Sequence, residues 1–405
     1  MVDQRRIDNQ PYVDARTASR FLGIQVRTLY AYVSRGLVRS MPGAQGRPRL
    51  YAQADLERLK ARSAARAGHG AVAAGALRWG EPVLDSAITA ITPRGPVYRG
   101  RAAVDLLDQR FEHVAELLWS GYLPTAPVTW PRRPLPLALL GKLIPPGTRP
   151  LDAMPLVVDL LALSDPQRDD DRADAFIARA RTVIPLLAAA LAPDTARMAR
   201  ALAADSVATI AARALGLTDD TAAALDAMFV LLADHELNAS SFAARVAAST
   251  GAGVYACLSA ALATLSGPRH GTASERVAAF VDAHPDARAA ARAARRSGDL
   301  PPGFGHSLYP HGDPRCAPLL ALALAHERTR GPFTRRARTL FALADALPGA
   351  NVDIGLSALI AALGLPPWAG SGLFAVARTA GWIAHVLEQR AAGYLLRPRA
   401  RYVGP

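Results

Sequence analysis

The stretches DHELNASSFAAR (residues 234–245), GPRHG (267–271), GFGHSLYPHGDPR (303–315) and NVD (351–353) decide the architecture of this chain. They contain His235, His270 and His306, together with Arg315 and Asp353, in short contexts that are mostly rich in glycine and proline. A single histidine in a helix is most often a structural or surface residue. Three histidines in such contexts, followed by a carboxylate, instead favour a catalytic site.

Length and composition bound the class of protein. The chain has 405 residues, enough for two or three domains, and its 51% hydrophobic and 20% charged residues indicate a globular fold. No apolar run approaches the roughly 18 to 20 residues of a membrane span, and the N-terminus lacks the apolar core of a signal peptide. We therefore expect a cytoplasmic protein with no membrane partner. Cys257 and Cys316 lack metal-ligand spacing, which argues against a disulfide framework and a zinc site.

The positive charge is concentrated at the N-terminus. Of the net +13, residues 1–66 contribute +8, from 13 Lys/Arg and five Asp/Glu. Such clustering favours a nucleic-acid partner for this part of the chain more than the total charge does.

The N-terminal 66 residues have the pattern of a winged helix-turn-helix. In DARTASRFLGIQVRTLYAYVSRGLV (residues 14–38) apolar positions recur at helical spacing on both sides of Gly23. The Pro/Gly-rich segment after Val38 predicts a wing, and residues 53–62 predict a further helix. Residues 67–77 are predicted to be a linker, because residues 61–76 contain almost no large apolar side chain.

The remainder is predicted to be almost wholly helical. Residues 78–107 are less helical and rich in β-branched residues and turns, whereas Ala- and Leu-rich helical patterns dominate from Pro155 to Phe229. Strand signals are scarce throughout. The predicted fold class is therefore all-α.

Residues 1–66 resemble the small DNA-binding domains of the MerR and excisionase type. The resemblance rests on residues at the turn, in the second helix and after the wing: Gly23, Ile24, Thr28, Leu29, Tyr30, Tyr32, Val33, Arg49, Tyr51, Asp55 and Leu56. It implies that the second helix enters the major groove of DNA. The implied contacts with bases or phosphates come from Gln25, Arg27, Thr28 and Ala31, with Arg35, Arg39, Arg47 and Arg49 meeting phosphates. A basic module that docks on another protein or on the next domain is the alternative.

The rest of the chain, from about residue 78 to residue 404, resembles citrate synthase. The four opening stretches are joined by WGEPVLDSAIT, YRGR and ARTAGWIAHVLEQ, in the order of that family. The resemblance implies a two-lobed helical dimer. Its large domain would comprise residues 78–271 and 364–405, and its small domain residues 272–363.

The implied reaction condenses acetyl-CoA with oxaloacetate to citrate and CoA, as in the tricarboxylic acid cycle. The proton beside a thioester is weakly acidic, so a carboxylate base needs a donor on the thioester oxygen, and a second donor must polarise the ketone. The resemblance assigns these roles to Asp353, His270 and His306. It assigns keto-acid binding to His235, Arg315, Arg378 and Arg397, the last from the partner subunit. It implies no metal or redox cofactor, since the acyl-CoA is a substrate.

Several positions depart from the family pattern. Thr272 and Ser274 replace the usual Gly and Asn, and Ser307 and Pro310 replace cations that follow the third histidine. Two alternatives therefore stay open: a 2-methylcitrate synthase that uses propionyl-CoA, and a metabolite-sensing transcriptional regulator with little or no turnover. Asp353 could also serve as a helix N-cap. We expect the remaining histidines singled out, His311, His326 and His385, to be structural or surface residues.

Overall fold

The computed structural model describes residues 12–42, 48–66, 84–132, 136–192, 194–284, 286–297, 300–330, 334–400, 402 and 404. Contacts divide the chain into two compact units, Met1–Asp85 and Ser86–Pro405. We call the first the head and the second the body, and describe each separately.

The head is a helix-turn-helix with a small sheet, as predicted. Its elements are, in order, β1 (Tyr12–Asp14), α1 (Ala15–Leu22), α2 (Val26–Ser34), β2 (Ser40–Met41), β3 (Leu50–Ala52) and α3 (Gln53–Arg66). The strands form an antiparallel sheet in the order β1-β3-β2. Asp14 caps α1 by accepting the Thr17 N–H at 2.7 Å, and Gly23, at φ 66°, ends that helix in the left-handed region.

One apolar cluster holds the head together. Its buried members are Ala18, Leu29, Val38, Tyr51 and Leu56. They come from α1, α2, the segment before β2, β3 and α3, so every helix depends on the others for burial. Helix α3 extends to residue 66, four residues beyond the predicted end, and the predicted wing tip at residues 43–47 lies outside the described residues.

The body begins with a hairpin in place of a helix. Strands β4 (Thr89–Thr92), β5 (Gly95–Tyr98) and β6 (Arg101–Ala102) form an antiparallel sheet, with Thr89 opposite Tyr98. The β-branched TAIT segment and its turn explain why this region lacks a helical pattern.

The rest of the described body is helical, which confirms the predicted fold class. Short 3₁₀ turns lie at Ala103–Leu106 and Asp219–Thr221. The helices α4 to α18 are, in order, Phe111–Ser120, Leu137–Leu143, Pro150–Ser164, Ala173–Ala189, Thr195–Ala201, Val207–Leu215, Ala222–Leu232, Ala239–Ser249, Val254–Leu265, Ala273–Asp282, Ala287–Ser297, Cys316–Arg330, Arg335–Ala346, Val352–Ala362 and Trp368–Ala392.

Helix α18 is the axis of the body. It has 25 residues, is buried over most of its length and packs against α4, α6, α7, α10, α11 and α12. Helices α13 to α17 pack mainly on one another, and α13 and α17 also contact α18. This grouping agrees with the small domain predicted at residues 272–363, which stays a prediction. None of the described helices is long and apolar enough to cross a membrane.

Candidate active site

A tight turn between α10 and α11 positions His235. Glu236 has φ 56°, a left-handed conformation that is uncommon for a residue with a side chain. The turn is stabilised by Asp234, whose Oδ2 accepts the Glu236 N–H at 3.2 Å, and by Asn238, which caps α11. Gly381 of α18 lies so close that a Cβ there would be 2.6 Å from the Ala233 carbonyl oxygen. The backbone that carries His235 is therefore fixed from both sides.

Three rings meet beside this turn. His235 Nε2 lies 3.0 Å from the Tyr309 hydroxyl, and the His306 ring lies with its centroid 5.4 Å from that of His235 and 5.0 Å from that of Tyr309. Burial, followed by the charge of Arg315, lowers the pKa of both histidines, that of His235 well below its usual range. Both rings are consequently neutral at pH 7 and able to donate one hydrogen bond each.

Arg315 is a buried arginine that is paired with both oxygens of one carboxylate. Its Nε donates to Asp313 Oδ1 at 3.0 Å and its Nη2 to Oδ2 at 2.7 Å, and both side chains are buried. Burial alone would raise the pKa of Asp313, but the Arg315 guanidinium holds it below its usual value. Asp313 therefore neutralises the charge of Arg315 before any ligand binds.

Arg378 is a buried arginine without such a partner. It is 2% exposed, its Nε donates to the Leu232 carbonyl at 2.9 Å, and its guanidinium lies 4.6 Å from the centroid of the Phe374 ring. No carboxylate among the described residues forms an ion pair with it. Burial lowers the pKa of Arg378 to about 10, with the nearby Asp234 opposing that shift. A buried cation left in this state is suited to an anionic ligand.

His270 is held by one hydroxyl. Its Nε2 lies 2.8 Å from Ser240 Oγ, which accepts the indole N–H of Trp382 at 3.1 Å and lies 2.8 Å from Asn238 Oδ1. Because the indole is only a donor, the single Ser240 proton remains for His270 or Asn238. Burial, then the charge of Arg378, lowers the pKa of His270 to about 4, so this ring too is neutral at pH 7.

Asp353 lies in the first turn of α17 with its carboxylate unpaired. The helix cap is Asn351, whose Oδ1 accepts the Asp353 N–H at 2.9 Å, so the N-cap role considered for Asp353 is wrong. Asn351 also donates to the Gly305 carbonyl at 3.0 Å and thereby ties α17 to the loop of His306. Within the described chain no group donates a hydrogen bond to the carboxylate, and burial raises the pKa of Asp353 to about 6.

A buried polar network supports the His235 turn from behind. Asp234 Oδ1 lies 3.3 Å from His385 Nε2, and His385 Nδ1 lies 3.3 Å from Arg245 Nη1, which donates to Glu388 at 2.8 Å. Since arginine only donates, His385 Nδ1 accepts, and its Nε2 carries the proton that faces Asp234. His385 is thus structural, as expected, and is completely buried.

The structure does not bring every predicted residue into this cluster. Arg397 is exposed in the segment after α18 and forms no ion pair with a described residue. Ser307 and Pro310 are exposed as well. Ser274 is buried at α18, where a Cβ on Gly370 would lie 2.9 Å from its Oγ.

Sequence reasoning assigned no role to Ser240, Tyr309 or Trp382. All three lie within stretches that had been singled out, and buried polar side chains inside a motif of catalytic residues are the signal that could have identified them.

The head presents part of its predicted DNA-contacting set. Gln25 and Arg27 are exposed at the start of α2, Thr28 is half-buried and Arg49 is exposed. Arg47 lies outside the described residues. Arg39, also predicted to meet phosphates, is exposed, and its guanidinium pairs with Asp55 at 3.0 Å.

The helical body thus groups buried neutral histidines, paired and unpaired arginines and a carboxylate of raised pKa. Residues 76–399 match the family model "Citrate synthase, C-terminal domain", so the chain belongs to the citrate synthase family. Residues 15–71 match the model "MerR HTH family regulatory protein". The chain is thus a citrate synthase family body with an N-terminal MerR-type head.

Relatives named citrate synthase and 2-methylcitrate synthase are similarly distant. The chain is 30% identical to a citrate synthase of Mycolicibacterium smegmatis over 80% of its length and 94% of the relative. It is 31% identical to a 2-methylcitrate synthase of Mycobacterium tuberculosis, over 80% of its length and 89% of that relative. A 35% match to citrate synthase 2 of Bacillus subtilis covers 45% of this chain and about half, 51%, of that protein.

The body is also similar to a solved structure. The crystal structure of citrate synthase from Thermotoga maritima aligns with 80% of this chain and 94% of its own, at a TM-score of 0.67 and 26% identity.

Proposed function

We propose that this protein condenses an acyl-CoA with oxaloacetate by citrate synthase chemistry. The observation that carries the proposal is Arg378, a buried guanidinium without a carboxylate partner among the described residues, beside histidines that are neutral at pH 7. The buried positive charge suits a small dianionic acid, and the neutral rings suit donation to carbonyl oxygens.

Binding of the keto acid is assigned to the arginines. Arg378 offers its free guanidinium edge to one carboxylate of oxaloacetate, and Arg315, oriented by Asp313, contacts the acid beside it. His235, whose Nε2 is held by the Tyr309 hydroxyl, contacts the keto acid from the fixed turn. The neutral His306 donates to its ketone oxygen and makes the carbonyl carbon more electrophilic.

The acyl-CoA is activated by Asp353 and His270. The Asp353 carboxylate removes a proton from the carbon next to the thioester, and the electron pair moves toward the thioester oxygen. The proposed role requires the His270 tautomer with its proton on Nδ1, in which Ser240 donates to His270 Nε2 instead of to Asn238 Oδ1 and the Nδ1–H stabilises the thioester oxygen. With a pKa of about 6, Asp353 is ionised at pH 7 while more basic than an ordinary carboxylate.

The carbon–carbon bond then forms between the enol carbon and the ketone carbon of oxaloacetate. The ketone oxygen takes the proton that His306 donates, which gives a citryl thioester. Water attacks the thioester carbonyl and returns a proton to His306, while the C–S bond breaks and the departing CoA thiolate takes the proton that Asp353 removed, which releases CoA and citrate and restores both residues. Closure of the two proposed lobes would keep the enol from water.

The proposed assembly is a homodimer. We assign Arg397 to the site of the partner subunit because it is exposed on its own chain, on a segment that leaves the end of α18. An Arg397→Ala variant that retains full affinity for oxaloacetate would contradict this assignment.

The acyl preference is proposed to be acetyl, with propionyl as the alternative that the M. tuberculosis relative favours. CoA release from acetyl-CoA and from propionyl-CoA, each with oxaloacetate, distinguishes the two. The larger kcat/KM identifies the substrate.

A metabolite sensor with little turnover is the second candidate, favoured by the MerR-type head. A sensor needs Arg315 and Arg378 but has no use for Asp353. Absence of CoA release in the wild type, with oxaloacetate still bound, would establish the sensor and overturn the enzyme.

We further propose that the head binds DNA through Gln25, Arg27, Thr28, Arg47 and Arg49. The support is the charge of +8 in residues 1–66 and the exposure of Gln25 and Arg27 on α2. Binding of the full chain to duplex DNA should weaken steeply with salt, and an Arg27→Gln/Arg49→Gln variant should bind less tightly. Unchanged binding by that variant would contradict the role of the head.

A further inference from the structure

Helix α14 carries an arginine face that the proposed reaction does not use. The sequence ARAAARAARRS places Arg288, Arg292, Arg295 and Arg296 at i, i+4, i+7 and i+8, on one side of the helix. All four are exposed, whereas Ala290 and Ala294 are buried on the opposite side. We call these four residues the arginine face.

The arginine face has no acidic partner among the described residues, unlike several other arginines of the body. None of its side chains forms a hydrogen bond or ion pair with any residue that the structure describes. Elsewhere Arg213 pairs with Asp219 at 2.6 Å, and Arg336 pairs with Asp282 at 2.6 Å on the neighbouring α16. The arginine face is therefore not an ordinary salt-bridged surface.

Helix electrostatics do not account for the arrangement. Like charges three and four residues apart destabilise a helix, and the helix has no acid in its first turn. The helix dipole favours Arg295 and Arg296 in the last turn, but it opposes Arg288 near the N-terminus. Asp286 is occupied in capping the helix, where it accepts the Ala289 N–H at 2.7 Å. Neighbouring α16 adds exposed Arg338 and one exposed acid, Asp345.

The length of the arginine face indicates the kind of anion that it fits. From Arg288 to Arg296 the helix rises about 12 Å, which is longer than a single phosphate group. One strand of duplex DNA carries a charge about every 3.4 Å along the axis, so three or four successive phosphates match this length.

We propose that the arginine face binds the phosphate backbone of the DNA that the head engages. This inference rests on the proposed DNA binding of the head. The head would hold the body at high local concentration near the duplex, so a modest electrostatic contact suffices. No base contact is required, since arginine–phosphate contacts carry no sequence information.

The test measures binding of the full chain to a labelled duplex by fluorescence anisotropy, between about 50 and 200 mM salt. Substituting Gln at all four positions should reduce the magnitude of the slope of log K against log salt by about two to four, since each lost phosphate contact removes about 0.9. A four-Lys variant should keep most of the slope. Because Gln and Lys are good helix formers, neither change should unfold α14.

A matched control removes the same charge elsewhere in the body. It carries Gln at four exposed arginines of other elements: Arg94, Arg101, Arg110 and Arg200. Its slope should change by less than about one. An equal loss in the control and in the α14 variant would show a general effect of net charge and overturn the proposal.

Two further outcomes separate this inference from the proposals on which it rests. If Arg27→Gln/Arg49→Gln abolishes binding while the α14 variant keeps the full slope, the head binds DNA and the arginine face does not. If only the α14 variant weakens binding, the body binds DNA without the head, and both the role of the head and this proposal are overturned. A raised KM for acetyl-CoA with unchanged DNA binding would assign the four arginines to nucleotide phosphates and overturn the inference.

Discussion

Two buried arginines of one site differ in what surrounds them. Arg315, in the loop before α15, is held by both oxygens of Asp313. Arg378, in the middle of α18, meets the Leu232 carbonyl and the Phe374 ring, with no acid paired to it in the described chain. In a buried ion pair each charge offsets the desolvation cost of the other, whereas the cost of a lone buried charge must be met by the stability of the rest of the fold. The difference separates an arginine whose charge is paired within the fold from one that we propose to bind a ligand.

The carboxylates of the site divide in the same way. Asp313 is buried and paired, and Arg315 holds its pKa below the usual value despite burial. The carboxylate of Asp353 accepts no hydrogen bond from a described residue, and burial raises its pKa to about 6. Arg378 and Asp353 are thus the two charged groups of the candidate site that form no ion pair with a described residue, and both are assigned to substrate.

The largest expected effect comes from the two carboxylates. Asp353→Asn should lower kcat about 10²- to 10⁴-fold, the range for loss of a general base, without lowering stability. Asp313→Asn should instead lower stability, because it leaves Arg315 as a buried charge without its partner. CoA-release kinetics and urea unfolding of both variants measure the two effects. A stable Asp313→Asn variant would contradict the structural role of Asp313, and an active Asp353→Asn variant would contradict the role of Asp353 as the base.

The arginines should show the same division in stability. Arg315→Gln is expected to destabilise the fold by about 3–5 kcal/mol, since it strands the buried Asp313 carboxylate. Arg378→Gln removes an uncompensated charge, so its free energy of unfolding should equal or exceed that of the wild type. Equilibrium unfolding in urea provides the comparison.

Oxaloacetate binding should depend on Arg378, although the loss of Arg378 is expected to cost less stability than the loss of Arg315. Oxaloacetate should raise the Tm of the wild type but not that of Arg378→Gln, because the variant lacks the cation that the ligand neutralises. The KM for oxaloacetate should rise about ten- to hundredfold, as expected for lost charge-assisted hydrogen bonds. Equal stabilisation of both proteins by oxaloacetate would show that Arg378 does not bind the acid.

The pH dependence should follow Asp353. Because its pKa is raised to about 6, activity should fall about tenfold for each pH unit below 6, as the base becomes protonated. The pKa of His270, about 4, keeps that ring neutral across this range. Stability has the opposite sign: protonation removes the buried charge, so the advantage of Asp353→Asn over the wild type should shrink from pH 7 to pH 5. If the activity of Asp353→Asn falls at low pH in the same way as that of the wild type, the titrating group is not Asp353.

Much of this fold could be predicted from the sequence. The turn at Gly23 with its flanking apolar positions determines the head, and the Ala- and Leu-rich periodicity predicts the helical body. The small sheet at residues 89–102 was missed, because its strands are only two to four residues long and pair locally. Short strands carry too few residues for a clear alternation of polar and apolar side chains.

The candidate site was predictable in its groups more than in its contacts. The motifs identify His235, His306 and Asp353, but not that Tyr309 bonds His235 across 74 positions. Nor do they show that Trp382 and His270 meet at Ser240, since residues 142 positions apart meet only through the packing of α11 against α18. Whether Arg378 has a partner is likewise a property of tertiary structure.

The smallest expected effect lies behind the turn of His235, where His385 bridges two charges. Arg245 donates to Nδ1, and Nε2–H faces Asp234 Oδ1 at 3.3 Å, so the ring accepts one hydrogen bond and presents its N–H to a buried carboxylate. A His385→Leu variant breaks both contacts and should cost about 1–3 kcal/mol of stability, with a few-fold rise in the KM for oxaloacetate because the turn loosens. His385→Gln retains one acceptor and one donor and should recover most of the KM. If both variants lose stability equally while KM is unchanged, the network serves the fold alone and belongs with Arg315 instead of Arg378.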